Sequence, residues 1–391
     1  MSYEIMKINP DDLDKPELKK TNEPGNQFSE LINNFKFLMM NQTRSGGFGN
    51  NHCAILGSYI CVRKDGITIG IPSQFGFFLC CNSFLFIEAV KSFSGEISIT
   101  ASSELGIVVK DDSGQVIVES HEPNMLSIDQ PTSAQISCGN ELIEALISVE
   151  SLIDPKHEYE ELQQATIKKN TCISTDRISI LESWHGLDLP SDVTISKKAI
   201  SLLRRSKKNL SGLSYNNGQL CFWFEDGCFL CCDSGQSKLP TVDHLFPDNA
   251  KLFSLPDQFF TTIGKVGKFS DKGHVYFHEG KVLASQNNET TMFDLEFYGD
   301  ELIGVDSKIL DHFAKWSKKA AVANMKNKEG METAGKCVYF VGDRTRGVLA
   351  CLSEKHTEVA TKNASAPDLQ QYQEKMKEWQ ENGSDPDNIP F

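Results

Sequence analysis

Lys197-Lys-Ala-Ile-Ser-Leu-Leu-Arg-Arg-Ser-Lys-Lys208 carries six positive charges and no negative one. Lys197, Arg204 and Lys208 fall at i, i+7 and i+11, one stripe of a 3.6-residue helix, with Ala199, Ile200 and Leu203 on the other side. The same offsets recur 111 residues further on, at Lys308, Lys315 and Lys319, opposite Ile309, Phe313 and Trp316. Arg205 and Lys207 widen the first stripe, Lys318 widens the second, and a neighbouring helix adds Lys265, Lys268 and Lys272. Cations on the wet side of a helix are the default and by themselves mean little. Here they stand in a chain with 39 Lys+Arg against 53 Asp+Glu, a net charge of −14. That acidic total argues against a protein coated in nucleic acid. A run of six cations within it is segregated charge, and it points to phosphate contact.

Outward from this stretch, a repeat emerges. Six amphipathic stretches read as helices, beginning near Phe28, Phe84, Asn140, Lys197, Pro256 and Ser307, in steps of about 50–60 residues. Between them the pattern switches to period two, as in Glu96-Ile-Ser-Ile-Thr-Ala, Gly106-Ile-Val-Val-Lys and Gln115-Val-Ile-Val-Glu. Turn chemistry at Asp111–Gly114, Asn216–Gly218, Glu225–Gly227 and Glu279–Gly280 splits these runs. The unit is one helix followed by a small antiparallel meander. Taken in pairs, six units make an α+β chain of three domains, each with two helices packed on antiparallel sheets. The expected segments are an N-terminal extension over 1–26, domains over 27–127, 128–248 and 249–357, and a tail over 358–391. Three unrelated α+β domains of coincident spacing are the alternative.

The 391 residues are 39% hydrophobic and 24% charged, the balance of an ordinary globular protein. The N-terminus lacks the stages of a signal peptide, and runs such as Phe75–Cys81 and Phe84–Val90 fall far short of a ~20-residue membrane span. The 12 cysteines lie in apolar strand-like runs and read as reduced, buried thiols, so the expectation is a cytoplasmic protein with no membrane partner. Cys228-x-x-Cys231, with Cys221 and His244 as companions, has metal-ligand spacing, but the intervening Phe-Leu continues a strand and puts the two cysteines on opposite faces. Gly46-Gly-Phe-Gly49 lacks the Gly-Lys-Ser/Thr ending of a phosphate-binding loop. The dispersed histidines pair with no nucleophile. No enzyme, no metal and no cofactor is expected.

The stretch from Thr171 to Pro247 carries a resemblance. It runs Cys-Ile-Ser-Thr-Asp-Arg-Ile-Ser-Ile (172–180), Leu-Pro-Ser-Asp-Val-Thr-Ile-Ser-Lys-Lys-Ala-Ile-Ser-Leu-Leu (189–203) and Lys-Leu-Pro-Thr-Val-Asp-His-Leu-Phe-Pro (238–247). This resembles the middle domain of bacterial DNA polymerase sliding clamps, the DNA polymerase III β type with its viral relatives. That family has a Thr-Asp-Gly-His-Arg-Leu loop, a Leu-Pro-Ser segment leading into a Pro-Arg-Lys helix start, and a Phe-Pro-Asp-Tyr…Pro strand exit. Here Thr175-Asp176 runs straight into Arg177-Ile178, Lys197-Lys198 stands for Arg-Lys, and Leu239-Pro240 stands for Phe-Pro. The motifs cover about 75 residues; the layout covers about Phe28 to His356.

The resemblance implies a DNA clamp fold whose homodimer closes a ring around duplex DNA, with sheets outside and helices lining the hole. It implies a processivity factor that tethers a replicative DNA polymerase and is handled by a clamp loader, its DNA contacts independent of sequence. The residues that would meet DNA are Lys197, Lys198, Arg204, Arg205, Lys208, Lys265, Lys308, Lys315 and Lys319, with Arg44 in a first-domain loop. Tyr159 lies in a comparable loop, among Glu158, Glu160 and Glu161 that repel phosphate. The family's partner-peptide pocket would be walled here by Thr175, Arg177, Ile178, Pro240 and Leu245 and completed by Leu349 and Cys351. A clamp-like interaction protein that binds polymerase or clamp-loader peptides without encircling DNA is the alternative. Beyond the family's usual end, Thr361–Pro367 reads as a linker, Asp368–Gln380 as a polar helix, and 383–391 as an acidic stretch finishing on Ile389 and Phe391. Those two apolar residues either belong to a disordered terminus or occupy the pocket.

Overall fold

The computed structural model describes residues 24–352, apart from 46, 94–95, 103–105, 123–125, 127, 129–130, 132–133, 190–191, 238, 240, 248–249, 271, 279, 287–288, 296 and 298–301. The helices are α1 (Pro24–Leu38), a single turn α2 (Phe48–Asn51), α3 (Ser83–Ser92), α4 (Glu141–Val149), α5 (Lys197–Ser206), α6 (Phe259–Val266) and α7 (Ser307–Ala314). Leaving α2 aside, each begins within four residues of an expected start. The repeat shows locally in how three of them begin. A strand runs directly into α3, α5 and α7, and its last residue is the N-cap. Asn82 accepts from the backbone N–H of Phe84 and Leu85 (3.0 and 3.1 Å), Ser196 from Ala199 (3.3 Å) and Asp306 from Lys308 (2.8 Å). Each cap satisfies N–H groups that a helix start otherwise leaves without partners, at about 1 kcal/mol apiece.

The chain forms two compact units, one of residues 1–147, 155–172 and 185–237, the other of 148–154, 173–184 and 238–391. In the first unit a nine-stranded antiparallel sheet runs, edge to edge, through 120–121, 78–82, 52–56, 59–64, 67–72, 229–233, 219–224, 210–216 and 136–137. Its midpoint joins Ile67–Pro72 to Phe229–Asp233, with Gly70 opposite Phe229. A Cβ on Gly70 would lie 2.2 Å from the Phe229 ring, so glycine is what lets these strands meet. Three further strands, 98–102, 106–111 and 114–118, form a separate meander. Phe35 of α1 and Phe86 of α3 pack edge to face at 6.1 Å within this unit's core.

In the second unit Ser179–Trp184, Thr345–Ala350, Glu332–Val341, Lys319–Lys326 and Phe253–Ser254 are successive neighbours in one sheet. A four-stranded sheet has the order 289–294, 281–286, 274–278, 303–306. Phenylalanines fill the space under the helices. Phe259 of α6 stacks on Phe277 (5.8 Å), and Phe313 of α7 lies 4.7 Å from Phe340. Residues 128–248 contribute to both units, because their strands continue sheets begun by residues before and after them. The first expected domain boundary, between residues 127 and 128, falls where residue 127 and several of its neighbours lie outside the described residues.

Two expectations are corrected here. The cysteines are not all reduced: Cys221 and Cys231 sit directly opposite on neighbouring strands, with Cα atoms 4.0 Å apart, and are joined by a disulfide. Opposed positions bring the two Cβ atoms within bridging reach, which spacing in sequence did not reveal. The helices are also shorter than the basic stripes require. Lys207 takes the left-handed conformation (φ 52°) and stops α5 at Ser206, so Lys208 is not on the helix. Lys315 caps α7, and Lys319 opens the strand Lys319–Lys326.

Candidate nucleic-acid interface and peptide pocket

The buried side of α5 is Ala199, Ile200, Leu202 and Leu203; Lys198, Arg204 and Arg205 are exposed. The amphipathic helix thus delivers cations to the surface by docking its apolar side. The Nζ of Lys198 lies 2.5 Å from Asp65, holding that carboxyl below its ordinary value through the hydrogen bond. Arg205 donates to the Met40 carbonyl (2.7 Å), tying the end of α5 to the chain just past α1. Lys208 is half-buried: it donates to Asp226 and to Asn34 Oδ1 (2.8 Å), and lies 5.1 Å over the Phe37 ring. Burial would raise the Asp226 carboxyl, but the Lys208 hydrogen bond and the Cys228 N–H outweigh it and keep it lowered.

Between the last turns of α1 and α5 lies an open groove of about 510 Å³, lined by Asn33, Lys36, Phe37, Met40, Arg205, Ser206 and Lys208. Lys36 was missed from the sequence. Its signal is faint: Asn33, Lys36 and Met40 fall at i, i+3 and i+7, but one lysine on an otherwise uncharged face does not stand out.

Elsewhere in the first unit, Arg44 is exposed and bound to α3, pairing with Glu88 (2.8 Å) and lying 5.5 Å over the Phe84 ring. Its charge is therefore shared with a carboxylate. On α4 the exposed residues of the first turn are Glu141 and Glu144. In the second unit α6 and α7 are neighbours. Lys265 is exposed in the last turn of α6, and Lys308, Lys315 and Lys319 are exposed on and after α7. Lys318 pairs with Asp343 at 2.5 Å.

The second unit holds an apolar cluster, and of the expected pocket residues Leu245 packs on it. Ile173, Ile180, Val242, Phe246, Cys337 and Val348 are its buried members, with Leu239, Leu245, Met325 and Tyr339 packed on it, half-buried. Thr175 and Asp176 shape the tight turn that follows. Thr175 Oγ1 donates to the Ser179 carbonyl (2.7 Å) and accepts from Arg177 N–H (3.1 Å), while Asp176 accepts from the N–H of Ile178 and Ser179 (3.0 and 2.6 Å). Arg177 is left-handed there (φ 76°), and Ile178 stands 50% exposed in the same turn. Pro240 lies outside the described residues.

Leu349 is a correction. Its register places it opposite Ser179 and Val338, whereas Val348 lies opposite Ile180 and Tyr339 of the cluster. Side chains alternate along a strand, so Val348 faces this cluster and Leu349, with no exposed surface, faces away. Cys351 is half-buried beyond the strand end, its N–H on the Lys336 carbonyl (2.9 Å) and its thiol pushed up to about 12 by burial. Arg346, not anticipated, lies 4.0 Å over the Phe246 ring and 5.0 Å over Trp184, and pairs with buried Glu182 at 2.6 Å. Among the described residues, no three His, Cys, Asp or Glu side chains come together as a metal site would require.

No protein-family model matches the sequence, and no curated protein matches it. Solved structures do. The DNA polymerase sliding clamp of Pseudomonas aeruginosa, crystallised with a ligand, aligns at TM-score 0.66 and 11% identity, covering 83% of this chain and 98% of that one. The β subunit of DNA polymerase from Streptococcus pyogenes gives TM-score 0.66 at 10% identity with the same coverage, 83% and 98%. The Caulobacter crescentus sliding clamp gives 0.64 at 14%, again over 83% and 98%. This chain therefore has the sliding-clamp fold, a mixed α+β architecture of antiparallel sheets and few helices.

Proposed function

We propose that the chain is a DNA sliding clamp: three clamp domains, over 27–127, 128–248 and 249–357, whose homodimer encircles duplex DNA and tethers a replicative polymerase. The observation that carries this reading is the clamp fold itself, aligned along 98% of the P. aeruginosa clamp. The exposed cations of α5, α6 and α7 supply phosphate contacts that need no base readout, which suits sliding. A ring holds DNA by topology, so weak contacts suffice and the process calls for no catalytic group. The apolar cluster around Val242 and Phe246, rimmed by Ile178 and Leu245, is the seat for peptides of the polymerase and clamp loader. The place of work is the compartment of DNA replication.

Ring closure needs complementary edges. Gly114–Val118 is the last strand of its sheet and exposes Val116 and Ile117; Glu289–Asp294 is the last strand of another and exposes Met292 and Phe293. An apolar edge strand invites pairing. One such edge from each of two copies, joined twice about a two-fold axis, closes the assembly. The test is retention on nicked circular DNA after loading. Release on linearising that DNA supports the ring; equal retention on both forms overturns it. The carboxylate partners of Arg44, Lys198 and Lys208 favour a second reading, a clamp-shaped peptide-binding protein that does not encircle DNA. It predicts a monomer in solution that still captures polymerase.

A further inference from the structure

The apolar cluster of the second unit is flanked by cations. Arg177 precedes exposed Ile178 in the turn, and Arg346 lies on Phe246 while paired with Glu182. The neighbouring carboxylates are mostly engaged: Glu182 holds Arg346, and Asp176 accepts from Ile178, Ser179 and the Ser179 hydroxyl, leaving exposed Asp243. The surface therefore suits a short segment with apolar anchors and acidic neighbours. The chain carries such a segment past the described residues. Glu381-Asn-Gly-Ser-Asp-Pro-Asp-Asn-Ile-Pro-Phe391 has three acidic residues, no cation, and Ile389 and Phe391 two positions apart.

Reach permits the contact. The chain passes the turn at Ile178, whose carbonyl accepts from Ala350 N–H (2.9 Å), and leaves the described structure at Leu352, which bonds the Gly304 carbonyl (2.8 Å) and packs with Tyr276 and Leu283. The 37 steps from Leu352 to Ile389 give a contour of at most about 120 Å at ~3.3 Å per residue, so length does not prevent the contact. A segment tethered through such a length presents itself at an effective concentration on the order of 1 mM. We propose that Ile389 and Phe391 occupy this cluster's surface in the same chain, so that the tail competes with incoming peptides. The inference rests on the reading of that surface as the partner-peptide pocket and adds a regulator to it.

The test uses a labelled synthetic peptide of residues 381–391, titrated into the full chain, a chain ending at residue 380, and a full chain carrying Ile389→Ala and Phe391→Ala. With an intrinsic Kd of about 100 μM, the tether should weaken binding to the full chain about tenfold relative to the other two. Ile178→Glu in the shortened chain should abolish binding; Ile178 is exposed, so the variant should fold. Equal affinity for all three chains overturns the proposal, as does binding that ignores Ile178→Glu. Weakening that grows with protein concentration also overturns it, because it places the tail on another copy. Purified replicative polymerase from the same source separates the two claims. If the shortened chain captures polymerase but not the tail peptide, this inference fails and the pocket stands. If it binds the tail peptide at Ile178 but not polymerase, the pocket's assignment fails and the tail contact stands.

Discussion

Lys208 separates a structural cation from a phosphate-contacting one. Its side chain is 17% exposed and that of its partner Asp226 32%, and Asn34 and the Phe37 ring complete its surroundings. Lys208→Met keeps the stem and removes the charge. The charge-assisted hydrogen bond is worth ~1.5–3 kcal/mol and the ring contact ~0.5–1. Asp226 is then left without its cation in a site that is only partly sealed, so the 3–5 kcal/mol for a broken buried pair is an upper bound. We expect a loss of about 2–3 kcal/mol in urea unfolding at pH 7 with the slope unchanged, or about 4–12 °C in melting temperature. Adding Asp226→Asn should restore at least half of it, the coupling expected of direct partners.

The pH dependence has a definite sign. The native Asp226 carboxyl is lowered, so its stabilisation is present above the ordinary value of ~3.9 and is lost as pH falls through the lowered one. Without Lys208 burial dominates and raises the carboxyl. The gap between native and variant chains should therefore close below about pH 4. A cation that only met phosphate would cost less than about 0.5 kcal/mol and lower the DNA salt slope by about 0.9. An unchanged urea midpoint with a shallower slope would refute the structural role.

Arg204→Ala with Arg205→Ala should reduce the slope of log affinity for duplex DNA against log salt by about 1.8, and lower the unfolding free energy by about 1.5 kcal/mol through loss of the Arg205 bond to the Met40 carbonyl; an unchanged slope removes both from the phosphate contact. Leu349→Ala, a fully buried site, should cost about 2–5 kcal/mol. Ile178→Ala should leave stability within about 0.5 kcal/mol yet weaken peptide binding; paired urea and peptide titrations check the contrast. Ile117→Lys or Phe293→Lys should each convert a dimer to monomer in sedimentation, whereas dimers surviving both changes would place the interface elsewhere.

What could be read from the sequence follows the range of the interactions involved. Helix starts depend on local patterning, and Phe84, Asn140, Lys197 and Ser307 lie within one residue of the observed beginnings. The caps Asn82, Ser196 and Asp306 are equally local, one residue before each helix, although the helix starts are read without them. Register is not local. That Val348 rather than Leu349 faces the apolar cluster depends on how Thr345–Ala350 aligns with Ser179–Trp184, more than 160 residues away in the chain. The bridge between Cys221 and Cys231 depends on the register of two adjacent strands, which no cysteine count contains. Arg346 escaped notice for the same reason, since Glu182, Trp184 and Phe246 come from other segments.

The two basic stripes, identical in spacing, diverge at their third member, and the reason is helix length. Offsets to i+11 need twelve helical residues, whereas α5 has ten and α7 eight. After α7 the chain turns into a strand and carries Lys319 to an exposed position; after α5 it turns through left-handed Lys207 and delivers Lys208 onto Asp226. The same spacing thus yields a surface cation in one place and a structural one in the other. The exposed cations Arg204, Arg205, Lys265, Lys308, Lys315 and Lys319 are what a phosphate contact has to use, and Lys36 joins them from α1, where a lone lysine is a faint signal. In a chain of net charge −14, their number sets the expected salt slope. Lys319→Met should lower that slope and spare stability, and Lys208→Met should do the reverse; identical behaviour would mean that the stripes, not the local packing, decide what each lysine does.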